Sequence, residues 1–358
     1  MRQRWLALAS LIVVLVLVGG CQRQQAQQPA APAEKLKVGI VYDVGGRGDL
    51  SFNDMAFAGL QRAQQEFGDR IETRDLEPTA GGENREELLR LLAGEGFDLI
   101  FGIGFLFTDS VQRVAQEFPD VKFGLVDGFI EGLTESSNVV CLAFKEHEGS
   151  FLVGAAAGLK SQTGVVGFVG GMKIPLIEKF EAGYIAGARY VKPSLRVLSD
   201  YAGTTGEAFR DPVKGKELAL AQYDRRADII YHASGGTGIG VFEAAVTKDK
   251  MAIGVDADQS LTVKEDQRGQ ILTSMIKRVD VSVFETIKAV VDGNFRGGYR
   301  SFGLAEDGVG YAENDYNRDM IADIKDRLEE LKKKIIAGEI MVPQNRTELE
   351  SFLQNLPK

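Results

Sequence analysis

From Lys35 onward, short runs of apolar residues alternate with segments whose apolar positions recur at helical spacing. KVGIVYD (37–43) predicts a buried strand, Asn53 to Phe67 a helix, IETRDL a strand, about Asn84 to Ala93 a helix and DLIFGIG a further strand. A helix from about Phe107 to Glu117 and the strand KFGLVDG (122–128) complete the first half. Strands that are apolar throughout and separated by helices belong to parallel sheets covered on both faces, so this half predicts a doubly wound α/β layer structure.

The rhythm then restarts. Glu146 to Leu159 predicts a helix with a Gly/Ala-rich face, GVVGFVGG (164–171) a strand, Phe180 to Val191 a helix and RVLSDYAG a strand. A helix from about Pro212 to Gln222, the strand DIIYHASGG (228–236), a helix from Gly240 to Lys248 and MAIGVDAD follow. The remainder predicts a helix from Val279 to about Asp292, a short strand SFGLAED, GVGYA, and a charged amphipathic helix from about Asn317 to Ala337. Two successive βα sets imply two similar lobes. Ligands of open parallel sheets bind outside the carboxyl ends of the strands, which here are Asp43, Gly104-Phe105, Asp127, Gly170-Gly171-Met172, Gly235-Gly236 and Asp256.

The start of the chain breaks this pattern. Arg2 and Arg4 precede an apolar stretch from Trp5 to Val18, then Gly19-Gly20-Cys21. That stretch is short of the roughly 20 apolar residues a spanning helix needs, and it has the layout of a secretion signal whose cleavage leaves Cys21 first. Such a cysteine carries diacylglycerol and a further acyl chain, which places the mature protein on the extracytoplasmic face of the cell membrane. Residues 22–34 (QRQQAQQPAAPAE) are polar and Pro-containing and predict a flexible tether.

The formal charge is -9, which loss of Arg2 and Arg4 takes to -11, so a nucleic-acid partner is disfavoured. With Cys21 acylated, Cys141 is alone and no intramolecular disulfide can form. The only tryptophan, Trp5, leaves with the signal, so any aromatic platform must be Phe or Tyr. His147 and His232 have no metal-ligand spacing, no serine has a His and Asp relay, and no cofactor is implied.

Three segments are candidates for binding chemistry. Asp43-Val-Gly-Gly-Arg-Gly-Asp-Leu-Ser51-Phe52-Asn53-Asp54 joins the first strand to a helix, where Ser51 or Asn53 can cap or contact a ligand. Phe52 there is either lifted into a cleft or a core staple. Ser234-Gly-Gly-Thr-Gly-Ile-Gly240 lies where a phosphate loop would lie but lacks the Gly-Lys-Ser/Thr ending, which favours an uncharged ligand. Asp256 and Lys277, at successive strand ends, form either a clamp on vicinal hydroxyls or a hinge salt bridge.

Taken together, the Cys21 segment, VYDVGGRGDLSFNDMAFAGL, GIGFLFTDS, KFGLVDG, EHEGSFLVGAAAG, VGFVGGMKIP, FRDPVKGKELA, GGTGIGVFEAA, GVDADQ, TSMIKRVD and IIAGEIMVP resemble the basic membrane protein family of ABC-transporter substrate-binding lipoproteins, whose members include purine-nucleoside receptors. The resemblance implies a two-lobed type I periplasmic-binding-protein fold with three crossovers. Lobe one would be 36–143 plus 279–294, and lobe two 144–278 plus 295–358, after a signal (1–20) and a lipidated tether (21–35). It further implies that Phe52 and Phe209 stack on a base, that Asp43, Asn53 and Asp127 read its edges, and that Gly235, Gly236, Asp256 and Lys277 hold the ribose. Gly104, Phe105 and Met172 would line the site. The expectation is a monomeric, non-enzymatic receptor that delivers a nucleoside to a permease and ATPase, with a monosaccharide or other small polar metabolite as the alternative ligand.

Overall fold

The computed structural model describes residues 35–79 and 81–356; the signal, Cys21 and the tether lie outside the described residues. In chain order the strands are β1 (Leu36–Val41), β2 (Ile71–Leu76), β3 (Leu99–Ile103), β4 (Lys122–Val126), β5 (Val139–Phe144), β6 (Val165–Met172), β7 (Arg196–Gly203), β8 (Ile229–Ala233), β9 (Met251–Asp256), β10 (Ile271–Lys277), β11 (Gly298–Phe302) and β12 (Val309–Tyr311). They form two six-stranded sheets, ordered β11-β5-β4-β3-β1-β2 and β12-β10-β9-β8-β6-β7. All pairings are parallel except β12 with β10. The two-lobed, doubly wound α/β expectation holds.

Helices cover both faces of each sheet, which is why β3 and β8 are buried along their whole length. Helix Phe52–Phe67 turns Ala56, Leu60, Ala63 and Phe67 inward, a stripe of helical period, and packs on helix Val279–Val291, where Phe67 stacks on Phe284 at 5.9 Å. In the second lobe, helices Glu146–Lys160 and Pro175–Val191 approach so closely that a side chain at Gly154 or Gly187 would strike the facing backbone of Tyr184 or Phe151. The Gly/Ala-rich face exists for this contact.

The chain crosses between lobes at 144–146, 277–279 and 302–309. Two crossings lie side by side: Phe144 and Phe302 end parallel strands, their rings stack at 5.3 Å, and Lys145 N donates to Phe302 O at 2.9 Å.

Several elements differ from the sequence reading. The strand placed at SFGLAED is Gly298–Phe302, and it pairs with β5 in the first sheet, so this part of 295–358 does not go with lobe two. As an edge strand with alternating exposure it lacks a continuous apolar run, and its position in the chain pointed to the wrong sheet. Strand β5 went unassigned although VVCLAF is apolar. The helix expected over 317–337 is split into Arg318–Ile321 and Lys325–Ile336, and a further helix, Arg346–Gln354, packs on Pro175–Val191.

Candidate functional site

The carboxyl ends of both sheets face one cavity. Asp43, Phe52, Asn53, Gly104, Phe105, Asp127, Phe209, Gly235, Asp256 and Lys277 line it, so ten sequence candidates converge from segments far apart in the chain. Its apolar lining includes Leu176, Ile177 and Phe180 from the helix after β6, and Phe105, which meets Phe209 edge to face at 6.4 Å. Charged groups are interleaved with these rings.

Asp43 extends β1. Its Oδ1 accepts from Val44 N (2.7 Å) and pairs with Arg85 (3.2 Å), while burial pushes its pKa up to about 6 against both contacts. Asn53 is held on both sides of its amide: Oδ1 accepts from Asp43 N at 3.0 Å and Nδ2 donates to Asp49 Oδ2 at 3.1 Å. Asp49, buried and on the cavity wall, accepts the backbone N–H groups of Ser51, Asn53 and Asp54 and so caps the helix that Ser51 or Asn53 was expected to cap. Burial raises Asp49 to about 7, opposed by those N–H groups.

Lys277, at the end of β10, is the charge centre. Its Nζ lies 2.5 Å from Asp127 Oδ2 and 3.3 Å from Glu146 Oε1, and within 5.0 to 5.5 Å of the ring centroids of Phe144, Phe52 and Phe180. Burial favours the neutral amine, but Asp127, Glu146 and Asp256 outweigh it and hold the ammonium charged. Asp127 is raised to about 6, by burial first and in spite of Lys277, and burial also raises Asp256. Asp127 Oδ1 is buried with no hydrogen-bond partner among the described residues. An acceptor in that state suits a ligand N–H or O–H donor.

Three candidates lie behind the wall. Ser51 is buried and its Oγ donates to Asp256 Oδ2 at 2.5 Å, so it orients that carboxylate. Gly236 is buried against the Phe209 carbonyl, and Met172, at the end of β6, does not reach the cavity lining. The Asp256–Lys277 pair is also corrected: the lysine's ion pairs are with Asp127 and Glu146, across the lobes and at the crossover. Phe52 satisfies both of its readings, since it lines the cavity and packs on the core.

Glu146 and Phe180 were missed, and Asp49 and Ser234 lie within candidate segments without having been singled out. Glu146 had a faint signal, a carboxylate two residues beyond the apolar strand VVCLAF at a lobe crossing. Phe180 lies in a helix of uniform apolar pattern, where nothing separates a cavity residue from a core residue.

Residues 36–346 match the sequence model of the Bmp family, described as ABC transporter substrate-binding protein PnrA-like. The chain belongs to this family. It is 34% identical to an uncharacterized lipoprotein of Pyrococcus abyssi, over 100% of this chain and 97% of that one. It is 32% identical to the ABC transporter nucleoside-binding protein BmpA of Lactococcus lactis, over 96% and 99%. Among solved structures, an ABC transporter solute-binding protein of Aeropyrum pernix K1 superposes with a TM-score of 0.76 at 31% identity, covering 90% of this chain and 97% of that one. As a Bmp-family protein the chain is a substrate-binding component of ABC transport. No helix among the described residues is long and apolar enough to cross a membrane.

Proposed function

We propose that the cleft captures a nucleoside, purine nucleosides foremost, and that the protein delivers it to the permease and ATPase of an importer while tethered as a monomer through acylated Cys21. The observation that carries this reading is the mixed lining of the cavity. The Phe105–Phe209 pair suits a flat heterocycle, and the Lys277 cluster suits a ring bearing vicinal hydroxyls. In this reading Phe52 and Phe209 stack on the base, Asp43, Asn53 and Asp127 read its edges, and Gly235, Asp256 and Lys277 hold the ribose. The name of the Lactococcus lactis relative supports the same class. A monosaccharide, the alternative, could satisfy the same polar groups but presents no flat heterocycle to the Phe105–Phe209 pair.

The test is thermal denaturation with saturating inosine, guanosine or adenosine, compared with ribose and glucose. A ligand at a hundredfold over its Kd adds about 2.7 kcal/mol of stability, enough for a clear rise in Tm. Asp256→Ala should weaken inosine far more than hypoxanthine. A shift with monosaccharides alone, or none with any nucleoside, overturns the assignment.

A further inference from the structure

Gln259 lies outside the cavity lining and is fully buried, yet all of its polar atoms are engaged. Its backbone N–H donates to Ser274 Oγ on β10 at 3.1 Å. Its side-chain oxygen accepts Val255 N at 2.8 Å and faces His232 Nε2 at 2.9 Å. A backbone N–H can only donate, so the atom facing Val255 is the oxygen and the amide NH2 must point the other way. There it meets Leu50 O at 3.0 Å, a carbonyl of the opposite lobe. The same logic puts the His232 proton on Nε2 and leaves Nδ1 to accept from Ser234 Oγ, 3.3 Å away on the cavity wall. Burial lowers the His232 pKa to about 4, which keeps the ring neutral as this arrangement needs.

The segment that Gln259 grips is unusual on its own terms. Leu50 holds a left-handed backbone, φ 56°, that a branched side chain rarely adopts, and its side chain packs into the apolar cluster of lobe two. One residue on, Ser51 donates to Asp256. Phe52 and Asn53, which line the cavity, follow directly.

We propose that Gln259 is a positioning residue for solute binding: from lobe two it latches the Leu50 carbonyl of lobe one, holding the lobes closed and setting the Ser51–Asn53 wall of the site. The latch consists of protein atoms alone, so in the free protein it forms and breaks without solute and leaves entry open, whereas a bound solute leaves only when it breaks.

The deciding variant is Gln259→Glu. It is isosteric and keeps acceptors for Val255 N and His232, but turns an oxygen toward Leu50 O. For the full-length protein and inosine, stopped-flow should show dissociation faster by about tenfold, the equivalent of one lost hydrogen bond facing an uncompensated acceptor, with association within about twofold. Small-angle scattering of the ligand-free variant should give a larger radius of gyration than wild type, reverting as acidification protonates the new carboxyl. If the buried carboxyl prevents folding, Gln259→Met, similar in volume and without a donor, should show the same split at about threefold. Unchanged dissociation, or rates that move together with compactness unaltered, overturns the proposal, because that is what local structural damage alone produces. The scattering arm needs no solute: if wild type binds no nucleoside, the function proposed above fails, while expansion of the variant still upholds the latch and its absence still refutes it.

Discussion

The two lobes share a strand order, and their fourth strands end alike. Asp127 follows β4 and Asp256 closes β9, both in left-handed backbone conformations, φ 63° and 64°, that aspartate tolerates better than most residues. Their fifth strands end differently. β10 ends on Lys277, whereas β5 ends on Phe144, whose ring centroid lies 5.0 Å from that same ammonium. The repeated scaffold thus supplies an acid twice and a cation once. The consequence is a buried cluster with more carboxylates than ammonium groups, in which one lysine carries the balance for both lobes.

Removing the lysine should therefore have the largest effect. Lys277→Met leaves Asp127 and Glu146 without it in a buried site, and truncating one partner of such a pair costs about 3 to 5 kcal/mol. Solute binding should be lost as well. The two aspartates should then separate: Asp127→Asn removes the 2.5 Å partner of the ammonium and should cost about 2 kcal/mol, whereas Asp256→Asn keeps an oxygen for Ser51 and should cost about 1 kcal/mol. Equal losses in urea denaturation would mean that the equivalence of the two strand ends extends to their energetics.

Buried acids and buried histidines titrate in opposite directions, and Asp256 of lobe two is raised like the acids of lobe one. Burial raises Asp43, Asp49 and Asp127 of lobe one to about 6, 7 and 6, and lowers His147 and His232 of lobe two to about 4. An acid raised on folding binds its proton more tightly folded than unfolded, so its stabilising contribution is complete below the ordinary aspartate value and lost as pH rises through the raised one. The histidines do the reverse, contributing more as pH rises from about 4 toward the ordinary histidine value. Asp49→Asn deletes one term from the first set. Relative to wild type, the variant's stability should therefore improve as pH rises from about 4 to 7, by on the order of 1 kcal/mol per pH unit where the proton is lost. The slope, and not the absolute stability, is the readout, because the amide also gives up acceptor capacity toward three N–H groups. A difference flat with pH would show that Asp49 titrates normally.

The contrast between lobes also explains what could be read from the chain. Strand ends were legible because buried parallel strands are short apolar runs, and the residue that stops each run, Asp43, Gly104, Asp127 or Asp256, faces the cleft. Residues that reach the cavity from within a regular element were not legible. Phe180 sits in an ordinary apolar helix stripe, and Glu146 acquires meaning only when β5 and β10 end beside one another. The wrong sheet for Gly298–Phe302 has a similar origin, since an edge strand is defined by its neighbour, Val139–Phe144, and not by its own pattern. Gln259 is the extreme case: a polar residue in GVDADQ whose partner, the Leu50 carbonyl, is more than two hundred positions away.

The smallest effect separates the third strands, each followed by glycine at the cavity. Gly104, after β3, has φ 107° and ψ 153°, a region essentially closed to L side chains, and a methyl group there would run into the Asp43 carboxylate. Gly235, after β8, has φ 53° in the left-handed region, and the nearest atom to an added methyl is Phe209 O at 3.1 Å. Gly104→Ala should thus cost about 2 to 3 kcal/mol and displace Asp43, while Gly235→Ala should cost about 1 kcal/mol, the ordinary penalty of a side chain in a left-handed conformation. The two also predict different binding defects. Moving Asp43 disturbs the wall it shares with Asn53, whose amide accepts Asp43 N, so Gly104→Ala should weaken solute binding by more than its stability cost alone. The Gly235 variant presses only on a backbone carbonyl of the Phe209 turn, so its affinity should fall severalfold at most. Matched losses in both variants would show that the two third-strand ends are interchangeable, and the chemical asymmetry would then reside in the fifth strands alone.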